Sequence, residues 1–295
     1  MESNASKWLL GCGIGCGVLI LILVIIAGFG FLCVKSTVEQ FKDVEASLDT
    51  LEAVYGTAEE FCPQADGYIK PERIEIFLAV RDSTAPVRKE LEETFGAISQ
   101  GIDDGRDKKK SFWGVLGLVR KGMRLIPKIA EYYETRNRAL MNYGMGQGEY
   151  YYIYVIAYYS WLKKSPGDGP KFRLMGNQNV YINYEKENKE RKKEELSEII
   201  KERESMMRRR ANKMLLSMLR NQLEKLKEYQ SLRSRSSWMR RLENEISALE
   251  SDEERIPWQT GVPNEIEISL TPYRERLEAS YNAMVNPIEL GPENK

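Results

Sequence analysis

YEKENKERKKEELSEIIKERESMMRRRANKMLLSMLRNQLEKLKEYQSLRSRSSWMRRLENEISALESDEER, residues 184–255, holds neither glycine nor proline over seventy-two positions. These two are the residues a helix interior tolerates least, and Glu, Lys, Arg, Leu and Met dominate what remains. Leu196, Ile199, Ile200, Met206, Met207, Met214, Leu215, Leu219, Leu223 and Leu226 make an intermittent apolar stripe, spaced as one helical face requires. Met239, Leu242, Ile246 and Leu249 resume the stripe. Between Tyr229 and Trp238 its register slips, where Ser231, Ser234, Ser236 and Ser237 cluster. Serine side chains compete for backbone hydrogen bonds, so a break, kink or stutter is expected there. The stretch reads as one very long helix or as a helical hairpin, with coiled-coil packing of impure heptads.

Helical periodicity also governs the chain upstream. Val38, Phe41, Val44, Leu48, Leu51 and Tyr55 share one face. Gly56 to Lys70 reads as loop, and Pro71 suits the first turn of a new helix with Ile74, Phe77 and Leu78 buried. Pro86 is expected to end or kink that helix, with Val87, Leu91, Phe95 and Ile98 extending the apolar face beyond it. Gly101–Lys110 reads as a charged loop, and Ser111 as the cap of a helix that Pro127 is expected to kink and that runs on through Leu140. Gly144, Gly146 and Gly148 mark a turn.

Then comes YYYIYVIAYYSWL, Tyr150–Leu162, thirteen residues with six tyrosines and no charge. It is too short to span a bilayer and longer than most strands. A helix buried on several sides fits best, with hydroxyls that need partners; a ligand-binding aromatic cleft is the functional alternative. Ser165–Pro170 (SPGDGP) is a turn cluster, followed by an irregular piece around 177–183. In the tail, Ile266, Ile268 and Leu270 alternate, and Thr271-Pro272 is a cap with a first-turn proline. Tyr273, Leu277, Tyr281 and Met284 line one helical face, which Pro287 is expected to stop.

The N-terminal region is of another kind. Trp8–Val34 is twenty-seven residues without a charge, bracketed by Lys7 and Lys35. About 20 apolar residues cross a bilayer as a helix. The run is too long for a signal-peptide core, and Ala27-Gly28-Phe29 puts Phe where a cleavage site needs a small residue. An uncleaved anchor is expected, with membrane lipid as its first partner. Within it, Gly11/Gly15 and Gly13/Gly17 are small-xxx-small pairs of the kind that let two membrane helices approach closely. They read as a candidate homodimer face, or simply as glycines common in membrane helices. Positive charge is sparse on both flanks, so orientation is poorly marked. A short N-terminal tail before a large C-terminal domain suits export of that domain.

Forty-four basic and 44 acidic side chains give a net charge of zero, but in blocks. Residues 37–104 carry 16 acidic and 6 basic groups, 105–183 carry 5 and 14, 184–241 carry 10 and 18, and 242–295 carry 12 and 4. The plain reading is helices packed antiparallel with complementary faces; the sharper one is a polyanion- or lipid-binding surface. Arg208, Arg209, Arg210 and Lys213 open the basic stretch and Arg240 and Arg241 close it.

The absence of histidine removes Ser-His-Asp and Cys-His nucleophiles and histidine-ligated metals. Cys62 is the one cysteine outside the apolar run, which leaves no disulfide and no thiolate metal cluster in the remainder. No phosphate-binding GxxxxGK[ST] loop occurs, and no cofactor is expected. Glu149, at the mouth of the uncharged segment, is the most interesting single acid; the plain reading is that it complements the positive end of a helix.

KWLLGCGIGCG, PERIEIFLAVRD, GMGQGEYYYIY and TPYRERLEASY together resemble uncharacterised bacterial single-pass membrane proteins with a GCGxGCG-type anchor. The resemblance implies a helical domain tethered to the bacterial inner membrane and carries no functional residues. The resulting expectation is an all-α chain: an anchor over 1–36, a helical domain over 37–183, a long charged helix or hairpin over 184–255, and a C-terminal segment over 256–295 packing on the bundle. Its expected role is a non-enzymatic structural or protein-interaction module with an unidentified protein partner. Nucleic acid is not the expected partner, and a carboxylate-based enzyme is the remaining alternative.

Overall fold

The computed structural model describes residues 42–107, 112–171, 189–228 and 235–291. The anchor, with Gly11, Gly13, Gly15 and Gly17, the Ser111 cap and the irregular piece around 177–183 lie outside the described residues. Among the described residues the secondary structure is entirely helical, and no helix is long and apolar enough to cross a membrane.

Helix α1 covers residues 42–55 and ends at Gly56, whose φ of +78° is a conformation glycine adopts freely. Helix α2 runs Pro71–Asp107 and α3 runs Phe112–Tyr143. They pack antiparallel: Ser83 meets Tyr143 at one end and Glu90 pairs with Lys128 further along. Val87, Leu91, Phe95 and Ile98 of α2 face Leu125, Ile129, Tyr132 and Tyr133 of α3. Two expectations are corrected here. Pro86, expected to end or kink α2, lies inside it and does not end it; a proline removes one backbone hydrogen bond, and α2 is buried on both sides of it. Gly101 does not open a loop either, since α2 continues to Asp107.

Helix α4, Gln147–Tyr154, passes without a break into a π-helical turn, Val155–Trp161. Every residue from Tyr150 to Trp161 is buried, so the uncharged segment is the central rod of the domain. Gly148 allows this: a Cβ there would stand 2.5 Å from the Ala58 carbonyl and 2.5 Å from the Phe61 side chain.

The opening stretch is a hairpin. Helix α5 is Lys189–Glu228 and α6 is Arg235–Ser251, on either side of residues 229–234. Arg220–Glu250 and Arg209–Glu254 pairs fix an antiparallel course. Asn212 of α5 donates to the carbonyls of Leu249, Asp252 and Arg255, closing the C-terminal end of α6. Met207, Met214, Leu215, Leu219 and Leu226 join the same core as the tyrosine rod.

The tail is α7 (Asn264–Leu270), a 3-10 turn (Thr271–Tyr273), α8 (Arg274–Ser280) and α9 (Asn286–Glu289). The alternation Ile266, Ile268, Leu270 falls in a helix, with Ile268 exposed. The helical face expected through Met284 breaks after Ser280, and Pro287 starts α9 where it was expected to stop a helix, because proline fits a first turn.

Candidate functional site

Three arginines are buried where α2, α3, α4 and α9 converge. Arg81 and Arg88 lie on the apolar face of α2, in line with Ile74, Phe77 and Leu91, and Arg136 lies on α3. Their carboxylate is Glu289, the last residue of α9, with no solvent exposure. The Arg81 Nη1 donates to Glu289 Oε1 at 2.9 Å and to the Tyr150 hydroxyl at 2.9 Å. The Tyr150 hydroxyl donates to Glu289 Oε2 at 3.0 Å, and Tyr132 donates to the same oxygen. Arg136 Nη1 donates to the Glu289 carbonyl at 2.7 Å and its Nη2 reaches the Tyr151 hydroxyl at 3.1 Å. Arg88 donates to the carbonyls of Ser280 and Arg81, each at 2.6 Å.

The π-turn completes the arrangement. Tyr154 and Tyr159 both donate to Asn286 Oδ1, at 2.9 and 2.8 Å. Five residues apart, they would diverge on an α-helix; the wider turn of a π-helix brings that spacing onto one face. Asn286 Nδ2 in turn donates to the carbonyls of Pro166 and Asp168, so the SPGDGP turn is fastened to α9. The Arg81 guanidinium lies 5.3 Å and 5.2 Å from the ring centres of Tyr154 and Tyr158, within cation–π range.

Burial pushes the Glu289 carboxyl upward, but the guanidiniums of Arg81, Arg88 and Arg136 and the Tyr132 hydroxyl outweigh it and hold the group below the usual carboxylate range. Burial works against the Arg81 cation, and the Glu289 carboxylate holds it charged nonetheless. Burial drives the hydroxyls of Tyr132, Tyr150, Tyr154 and Tyr159 upward, so each stays a neutral donor. The cluster is a closed polar core with three guanidiniums around one carboxylate. Its tyrosine rings pack on one another, Tyr154 and Tyr158 at 4.7 Å, where the ligand-binding alternative needed an open cleft.

Glu149 sits in the first turn of α4, as the dipole argument requires. It is clamped through both carboxylate oxygens by Arg73, which also donates to the Gly144 carbonyl at 3.1 Å. The pair lines a small cleft of about 40 Å³ with Lys70, Phe61 and Tyr152, room for a few water molecules.

The structure disperses the basic residues of the long hairpin. Arg208 pairs with Glu204, Arg209 with Glu254, and Arg241 with Glu265. Arg210 is half-buried, and Lys213 and Arg240 are exposed. Among the described residues no group of three His, Cys, Asp or Glu side chains is placed to hold a metal.

Sequence reasoning missed Arg81, Arg136 and Glu289. The signal for Arg81 and Arg88 was present: their spacing from Phe77 and Leu91 sets both on the apolar face of α2. Glu289, between Ile288 and Leu290, is likewise a lone charge in an apolar run. Comparison with protein families, with curated proteins and with solved structures finds no match to this chain.

Proposed function

We propose that the chain is a membrane-tethered, non-enzymatic structural or protein-interaction module. The observation that carries this reading is the setting of Glu289: sealed from solvent, held by Arg81, Tyr132 and Tyr150, and kept below the usual carboxylate range by the guanidiniums around it. A general acid or base must reach a substrate proton and hold a pKa near the working pH, and this carboxylate does neither. Its work is to tie α9 to α2, α3 and α4. The pairing of Arg208, Arg209 and Arg241 with acids of the same chain supports an intramolecular role for those charges over a polyanion site.

In this reading Trp8–Val34 anchors the chain in a bacterial inner membrane, with the helical domain on the extracytoplasmic side. Gly11, Gly13, Gly15 and Gly17 bring two copies together. The test is carbonate extraction followed by labelling of Cys62, a free thiol outside the apolar run. The full chain is expected to stay in the membrane pellet, and a variant lacking residues 1–36 to appear in the supernatant. An impermeant maleimide is expected to label Cys62 on intact cells, to the extent seen after lysis. Extraction of the full chain by carbonate would remove the anchor from the proposal. Labelling only after lysis would place the domain in the cytosol.

A further inference from the structure

A buried cluster of three guanidiniums and one carboxylate is out of balance. Arg81, Arg88 and Arg136 are 0%, 5% and 1% exposed, and Glu289 is the acid among them. The Nε atoms of Arg88 and Arg136 are buried and make no hydrogen bond. Take α9 away and the pocket holds three desolvated cations with no acid to offset them, the arrangement that costs most in a protein interior. A carboxylate offsets that cost where a neutral group does not.

What fills it is slight. Helix α9 is four residues long, far below the length at which a helix holds itself together. It is reached through Tyr281–Val285, a stretch outside any helix. Its grip is side-chain chemistry of the kind that recognises a peptide: Glu289 on Arg81, Asn286 between Tyr154, Tyr159 and the SPGDGP turn, and Val285, Ile288 and Leu290 buried. Two of its polar side chains are read by groups on the rod and on α2, and its backbone by Arg136.

We propose that the cradle of Arg81, Arg88, Arg136 and the rod tyrosines is a receptor site for an acidic Asn-Pro-Ile-Glu segment. Residues 286–289 fill it in cis as an exchangeable latch, and the same segment of a second copy is its alternative occupant. The second copy is the fitting partner because Arg81, Arg136, Tyr132, Tyr150, Tyr154 and Tyr159 already pair with groups of this sequence. Exchange re-forms the same contacts between chains. This inference rests on the interaction-module reading only for its biological use; its test does not involve the membrane anchor.

The probe is a fluorescent peptide of residues 281–291, YNAMVNPIELG, titrated by anisotropy into the full-length chain in detergent. The wild-type chain, filled in cis, is expected to bind it weakly. The Glu289→Gln chain is expected to bind it at least tenfold more tightly. A peptide with Gln in place of its glutamate is expected to lose roughly tenfold to a hundredfold, the weight of hydrogen bonds to an ionised group. A folded Glu289→Gln chain that ignores the peptide would overturn the proposal, as would equal binding of the glutamine peptide. Should Glu289→Gln fail to fold, hydrogen exchange of the wild-type chain decides. With excess peptide, the amides of residues 286–291 are expected to lose protection while those of α5 keep theirs. Unchanged protection under saturating peptide would sink the idea.

Discussion

Arg81 and Glu289, 208 positions apart in sequence, meet through a 2.9 Å hydrogen bond with neither side chain exposed to solvent. This pair ties α9 back to α2, with the tyrosine rod held between them. Removing one partner of such a pair leaves a charge stranded in the interior.

Glu289→Gln is accordingly expected to destabilise the domain by roughly 3–5 kcal/mol. Arg81→Met is expected to cost a comparable amount. The double variant should cost less than the sum by about 1–3 kcal/mol, because each single change strands what the other removes. Urea denaturation of the four proteins measures this cycle. Strict additivity would show that the pair contributes no coupling.

The depressed Glu289 carboxyl fixes the sign of the acid response. Its stabilising contribution is present in full above the unfolded carboxylate value of about 4.3 and is lost as pH falls through the lower folded value. The stability gap between wild type and Glu289→Gln should therefore narrow only as pH falls below about 4.3, towards the lower folded value. Denaturation midpoints across that range test it; a gap independent of pH would mean that Glu289 is not ionised in the folded chain.

The buried tyrosines act at the other end of the scale. Burial raises Tyr132, Tyr150, Tyr154 and Tyr159, so the folded chain keeps protons that the unfolded chain sheds near pH 10. Stability is fully present below about pH 10 and declines above it. Tyrosinate absorbance from these residues is expected to rise together with loss of helical circular dichroism, as one transition. Ionisation well before unfolding would show that water reaches the rod.

Gly67 tests the seat of the hairpin. Its φ is +76°, and a Cβ there would come within 2.3 Å of the Trp238 ring. Gly67→Ala is expected to cost about 2–3 kcal/mol, from overpacking and backbone strain together, and to shift tryptophan emission. A thermal midpoint unchanged from wild type would show that α6 moves aside freely.

The pairs on the outer face of α5 should matter little. Arg209, 60% exposed in its pair with Glu254, is expected to yield less than about 1 kcal/mol on conversion to alanine. Charge reversal at Arg208, Arg209 and Arg210 is expected to leave co-sedimentation with anionic vesicles unchanged when tested at low and at physiological salt. A steep loss of vesicle binding would revive the polyanion reading of this helix.

Local features of the chain declared themselves early. The slip of the apolar stripe near the serine cluster is matched by two separate helices, α5 to Glu228 and α6 from Arg235, as the competition of serine side chains for backbone bonds leads one to expect. Pro71 and Gly144 bound α2 and α3 for equally local reasons. Pro86 and Gly101 carried the same kind of signal, yet α2 runs through both. Around Pro86, packing of Val87, Leu91, Phe95 and Ile98 against α3 supplies more than one lost backbone bond removes.

What the sequence determined by itself was the helical class, the apolar faces, the burial of the tyrosine rod and the absence of histidine chemistry. These follow from periodicity and composition, whose reach is a few turns of chain. The tertiary structure alone decided that Glu289, among 44 acidic residues, is the partner of Arg81. Any acid can neutralise any base along a sequence; only burial in a shared core makes one pairing far better than the rest, because there an unmatched charge has no water to turn to.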